Sequence, residues 1–153
     1  MRKIVAVLAL AFGGLGVAAI PASASTGQTY YETDTSVQFI PACTPGPANP
    51  TCDPRGPGSI LSTSGNLSYT QGGATIGTIS TSCTTTNKAG SDYYAVCTDT
   101  LSTPGGTITA VGYVNESALE RYAPQNLSVA GPPGGVLTVQ QVVYPNVFRL
   151  TLS

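Results

Sequence analysis

The run Gly135-Val136-Leu137-Thr138-Val139-Gln140-Gln141-Val142-Val143-Tyr144-Pro145-Asn146-Val147-Phe148-Arg149-Leu150-Thr151-Leu152 ends one residue short of the carboxy terminus. Two stretches rich in β-branched and aromatic residues flank Tyr144-Pro145-Asn146, where proline and asparagine favour a turn, so the run reads as two strands joined tightly. Working outward, the same alternation of strand formers and turn formers recurs along the chain. The expected strands are Gln28 to Phe39, Gly58 to Thr70, Thr75 to Thr86, Tyr93 to Leu101, Thr107 to Val114, Asn126 to Val129, Val136 to Tyr144 and Val147 to Leu152. They are separated by Gln71-Gly72-Gly73, Pro104-Gly105-Gly106 and Gly131-Pro132-Pro133-Gly134-Gly135. Nothing between them is long enough for a helical crossover, which parallel strands would require. The fold class is therefore all-β, with antiparallel strands. The one helix-like stretch, Asn115 to Tyr122, reads as a short turn that Ser117 caps with Glu120 three residues on.

Only 8% of residues are charged, and no amphipathic helical pattern follows residue 24. The amino end has its own layout: Arg2-Lys3, an apolar run from Ile4 to Ile20, then Pro21 and Ala22-Ser23-Ala24. A basic start, an apolar middle and a small-residue triplet are the three parts of a secretory signal peptide, with cleavage expected after Ala24. That leaves residues 25–153 as one domain, secreted and without a membrane span. It also leaves four basic side chains, Arg55, Lys88, Arg121 and Arg149, against all seven acids, a net of −3. A nucleic-acid partner, which needs clustered positive charge, is excluded.

The four cysteines are even in number in an exported chain, which favours two disulfides. Cys43 with Cys52 would close the proline-rich loop between them. Cys83 with Cys97 sit symmetrically about Gly90, opposite one another if Asn87 to Asp92 is a hairpin turn. A zinc site is disfavoured because there is neither a CxxC pair nor a histidine. The missing histidine also removes a Ser-His-Asp triad, and the Gly-Gly pairs belong to turns rather than to a phosphate loop before a helix. No metal and no cofactor are expected.

Gly106-Thr107-Ile108-Thr109-Ala110-Val111-Gly112-Tyr113, then Leu127-Ser128-Val129-Ala130-Gly131, then the closing run from Gly135, together resemble the plant allene oxide cyclase family. In that family a Gly-ordered strand, a Thr-Gly-Gly turn, a Val-Lys-Leu-(Gln/Arg)-Gln-(Ile/Leu)-Val-(Phe/Tyr)-Pro strand and a Phe-containing last strand follow in this order. The resemblance extends upstream through Ile76-Gly77-Thr78, Cys83 and Tyr93 to Leu101, and back to Tyr31-Glu32-Thr33-Asp34, with a gap at the Cys43 to Cys52 loop. It implies an eight-stranded antiparallel β-barrel, here disulfide-stapled, whose lumen holds a small apolar molecule, and by family habit a trimer. The related dirigent proteins share the barrel.

The family's reaction opens a fatty-acid epoxide and closes a cyclopentenone, chemistry that needs the substrate held in a reactive shape and a carboxylate to stabilise developing positive charge. Glu32 matches the position of that carboxylate and is the expected catalytic residue. Asp34 replaces the family's asparagine and, two residues on, shares the strand face of Glu32, so the two acids either repel in the lumen or are solvated outside it. Asn66 and Tyr113 align with pocket residues and join Asp34 as expected ligand contacts. Cys83 aligns with a pocket cysteine, but paired with Cys97 it has no free thiol. The function implied is a lumen-binding barrel that acts as a cyclase or isomerase, with a non-catalytic dirigent-like binder or a structural surface domain as the alternatives.

Overall fold

A computed structural model describes residues 27–131 and 134–153. Cleavage after Ala24 concerns residues outside the described ones. The strands are β1 (Thr29–Ile40), β2 (Ile60–Ser68), β3 (Gly77–Ala89), β4 (Asp92–Thr103), β5 (Gly106–Asn115), β6 (Gln125–Val129), β7 (Val136–Val143) and β8 (Val147–Leu152), with one short helix, α1 (Glu116–Glu120). Each strand pairs antiparallel with the next, and β8 returns to β1 through partners such as Glu32 and Phe148, so the sheet closes into an eight-stranded barrel. Closure matters physically because it leaves no full-length edge of unpaired amides. The eight strands match the eight expected from turn spacing, with ends that coincide or differ by up to three residues.

Successive side chains on a strand point to opposite faces, and here one parity of each strand fills the interior. On β4 the buried positions are Ala95, Cys97, Asp99 and Leu101, while Val96 faces out. The outer face of β2, β3 and β4 carries Ser62, Ser64, Ser80, Ser82, Thr98 and Thr100, so hydroxyl groups rather than charges meet solvent there. Leu67, Leu101, Leu137 and Leu150 are fully buried and, with Tyr30, Ile79, Ile108 and Leu152, plug one end of the barrel.

Both disulfides join the expected partners. Cys83 and Cys97 are directly opposed in the β3/β4 ladder, with Cα atoms 4.0 Å apart, and Gly90 (φ +62°) takes the left-handed conformation in the turn between those strands. Cys43 and Cys52 close the proline-rich loop, their Cα atoms 5.9 Å apart. That loop is tied down just beyond Cys52: Asp53 accepts from Lys88 Nζ (2.6 Å) and from the Tyr93 hydroxyl (3.1 Å). The helix cap differs from expectation. Asn115, not Ser117, caps α1 by accepting from Ala118 N (2.8 Å), while the buried Ser117 hydroxyl accepts from Tyr93 N (3.1 Å). Asn115 is the last residue of β5 and still extended, which puts its carbonyl side chain where a capping group is needed. Among the described residues no helix is long and apolar enough to cross a membrane.

Candidate functional site

The end of the barrel opposite the leucine plug encloses a cavity of about 280 Å³. Its wall is apolar where Leu61, Val114, Leu127, Val139 and Phe148 face it, but three carboxylic acids enter it as well, Glu32, Asp34 and Asp99. Glu32 and Asp34 arrive there by the alternation that also turns Tyr30 inward. Asp99 arrives by the same rule on β4, two residues from Cys97 and two from Leu101. A bulge between Asp34 and Ser36 then shifts the pairing of β1 by one residue, so that the odd-numbered Val37 borders the cavity rather than an even-numbered side chain.

Glu32 is only 4% exposed and is backed by β2 at Gly65. A Cβ at position 65 would lie 3.1 Å from Glu32 Cγ, 3.3 Å from its Oε1 and 2.9 Å from Thr33 O, so the missing side chain makes the space in which the carboxyl group sits. Asp99, also 4% exposed, accepts from the Thr81 hydroxyl (2.8 Å). The buried Gln141 amide donates to Pro145 O (2.8 Å), fixing the β7/β8 turn beside the cavity. Asp34 Oδ1 is buried with no hydrogen-bond partner.

Burial in this apolar surround disfavours the charged form of each acid. It pushes Glu32 well above the ordinary carboxylate range, and the negative charge of the neighbouring Asp34 pushes it further. Burial raises Asp34 too, although hydrogen bonds with Glu32 and Thr63 oppose the rise. Asp99 is lifted to about 6 by burial, against the pull of the Thr81 hydrogen bond. Glu32 thus favours its protonated form beside Asp34, and Asp99 titrates at about 6.

Arg55, Glu116 and Glu120 border the mouth. Arg55 donates to Glu120 (2.9 Å), lies 3.6 Å from Glu116 and sits over the Tyr93 ring at 4.7 Å. The disulfide between Cys83 and Cys97 faces the cavity, so its sulfurs form wall rather than reactive thiols. Asn66 and Tyr113 are not brought to the cavity. Their neighbours Leu67 and Val114 point inward, so two-residue alternation turns both outward; Tyr113 is 55% exposed and stacks on Tyr94.

Asp99, Thr81, Gln141 and Arg55 are site residues that the sequence reading passed over. Asp99 carried a signal, an acid at a position of inward parity between a cystine and a leucine. Arg55 carried none, because only the folded loop brings it to the mouth. Among the described residues no group of three or more His, Cys, Asp or Glu side chains is placed to hold a metal ion.

The family model of the allene oxide cyclase barrel-like domain matches residues 60–140. Among solved structures, one titled pyocyanin demethylase is 22% identical, with a TM-score of 0.62, covering 82% of this chain and 98% of its own. A heme-binding cyclase that catalyses a [4 + 2] cycloaddition in neoabyssomicin biosynthesis is 20% identical, with a TM-score of 0.61. The Diels-Alderase AbmU from Streptomyces koyangensis is 18% identical, with a TM-score of 0.59. The match covers 84% and 83% of this chain but only 64% and 60% of those two, respectively, and at these identities the likeness is one of fold. No curated protein matches the chain.

Proposed function

The chain belongs to the allene oxide cyclase barrel-like family, and from that premise we propose that it binds a small, largely apolar molecule in its lumen and promotes its cyclisation or isomerisation. The observation that carries this reading is the placement of Glu32, Asp34 and Asp99 in an otherwise apolar cavity of about 280 Å³. A folding protein gains nothing in stability from burying three acids, since each is costly to bring out of water. Such groups are arranged for work on a ligand.

Glu32 is the proton donor in this reading. Held in its protonated form, it can give a hydrogen bond or a proton to an oxygen of the bound molecule, while Asp99 stabilises positive charge that develops as the ring forms. The cavity wall supplies the remainder by folding the substrate into the shape that closes. Cyclisation is the work named for two of the structurally similar barrels, a [4 + 2] cycloaddition of the Diels-Alder type in both. The protein works outside the cell, a reading supported by the leader at residues 1–24 and by two disulfides of the kind that persist in oxidising compartments.

Native mass spectrometry of the folded protein with a panel of polyene and epoxide compounds tests the proposal. The wild type is expected to retain one compound and release it rearranged, while Glu32→Gln retains it and converts it at least about 100-fold more slowly. Equal conversion by Glu32→Gln overturns the donor role. Retention without conversion by either form leaves a binding barrel of the dirigent type, and no retention at all overturns the lumen reading.

A further inference from the structure

Every charged group that enters the cavity from the strands has the same sign. The basic side chains among the described residues are all engaged elsewhere. Lys88 is on Asp53 (2.6 Å), Arg121 on Asp92 (3.1 Å), Arg149 on Gln140, and Arg55 at the mouth between Glu120 and Glu116. Inside, nothing replaces them. Asp34 Oδ1 is buried and unpartnered, and Glu32, only 4% exposed, lines the same cavity. That space is large enough for a bicyclic molecule, so the one acceptor left unsatisfied, Asp34 Oδ1, is available to a ligand there.

We propose that the lumen selects a cation, a flat or compact apolar molecule carrying one protonated amine or ring-nitrogen charge, held by Asp34 and Asp99 with Glu32 beside them. The inference rests on the lumen-binding reading above and names the class of ligand that reading takes. An apolar frame is matched by the aliphatic and aromatic wall, and the single positive charge is matched by carboxylates that have no other counter-ion. A carboxylate ligand such as a free fatty acid would instead be driven against the like-charged Asp34 and Asp99. The proposal therefore separates this barrel from one built to receive anionic lipids.

The charged groups around the site are few. Glu32 and Asp34 come from β1 and Asp99 from β4; the mouth adds Glu116 and Glu120 from α1, Arg55, and the phenol of Tyr144 from the turn after β7. The remaining strands present no titratable group to the cavity, β2 and β3 offering the hydroxyls of Thr63 and Thr81 and β7 the amide of Gln141. Burial raises Asp99 to about 6, so its negative charge is gained between mildly acidic and neutral pH, and a cation is expected to bind better at the upper end.

Three probes of nearly equal size and shape test this by fluorescence titration of the folded protein: N-methylquinolinium, whose charge is fixed, neutral 1-methylnaphthalene, and 1-naphthoate. At pH 7.5 the quinolinium is expected to bind at least about tenfold more tightly than either of the others, a difference of about 1.4 kcal/mol. Lowering the pH to 5 should shrink that preference to under about threefold, because only the protein titrates. The double substitution of Asp34→Asn with Asp99→Asn should abolish the preference and leave the affinity for 1-methylnaphthalene unchanged, which also reports that the cavity is intact. Where the double variant fails to fold, the preference of the wild type and its pH dependence decide the matter alone. Equal or tighter binding of the neutral or anionic probe overturns cation selection while the lumen reading stands. Failure of all three probes to bind overturns both.

Discussion

The two ends of the barrel interior obey one rule of side-chain alternation and yet are built differently. Along β4 the inward positions run from Leu101 at the plugged end through Asp99 to Cys97 at the cavity. Along β2 they run from Leu67 through Gly65 to Thr63 and Leu61, along β3 from Ile79 through Thr81 to Cys83, and along β7 from Leu137 through Val139 to Gln141. On β3, β4 and β7 a large aliphatic side chain gives way to a smaller or more polar one, and on β2 glycine and threonine separate two leucines. Parity alone sets which residues face inward; their size and polarity decide whether the interior is filled or left open. One end is therefore a core that holds the barrel closed, and the other is a chamber.

The largest expected effect separates these two ends by stability. Leu101 is fully buried among other leucines, and Leu101→Ala should cost about 3 to 5 kcal/mol in urea unfolding, the lost transfer energy plus a void that the closed sheet cannot collapse. Leu61, half-buried on the chamber wall, already borders empty space, so Leu61→Ala should cost under about 1.5 kcal/mol. Equal losses at the two sites would mean that the chamber end is packed like the plug.

The cystine between Cys83 and Cys97 sits at the chamber end, where it ties β3 directly to β4. Replacing both cysteines by alanine removes a cross-link that closes a separation of 14 residues, and should cost about 3 kcal/mol by the loss of constraint on the unfolded chain. A much smaller loss would show that ladder hydrogen bonds alone secure this end.

Acid titration sharpens the contrast further, because the plug has no titrating carboxylate and the chamber has three. The Asp99 carboxyl group has an ordinary value of 3.8 and is raised to about 6 in the folded protein, so the folded state binds its proton more tightly than the unfolded chain does. Its stabilising contribution is complete below about 3.8 and is lost as the pH rises through about 6. The loss is up to about 3 kcal/mol, and Glu32, raised in the same way, adds to it in the same direction. Urea midpoints measured at pH 4.5 and pH 7.5 should therefore show a wild type that is more stable in acid. Asp99→Asn, which keeps an acceptor for Thr81, should show a shallower slope. A stability that rises with pH over this interval would place Asp99 in contact with water rather than in the chamber.

How much of this was readable in advance follows from the same rule. Strand count, antiparallel order and the pairing of the cysteines depend on local composition and turn chemistry, and these survive in the linear chain. The inward orientation of Glu32 and Asp34 was readable as a shared face, though not which face it was. Asp99 had the inward parity of Cys97 and Leu101 as a signal, but its approach to β1 spans the barrel, and no local spacing records that distance. The bulge after Asp34 was also hidden: Thr35 carries none of the glycine or proline signals that mark a break, yet it changes the parity that brings Val37 to the cavity. Arg55 reaches the mouth only because the loop beyond Cys52 is pinned through Asp53 to Lys88 and Tyr93.

Asn66 and Tyr113 mark the limit of reading a site by alignment, and they carry the smallest expected effect. A match along a strand that is displaced by a single residue moves a side chain through the wall, from the chamber to solvent. Asn66 lies beside the buried Leu67, and Tyr113 beside the buried Val114. Asn66→Ala and Tyr113→Phe should each change stability by less than about 0.5 kcal/mol, the second because the ring stacked on Tyr94 is kept. Neither should alter retention of a lumen ligand in native mass spectrometry. A loss of retention in Asn66→Ala, with the fold intact, would show that ligand also engages the outer face of β2, and the division between a working interior and an idle exterior would fail at that strand.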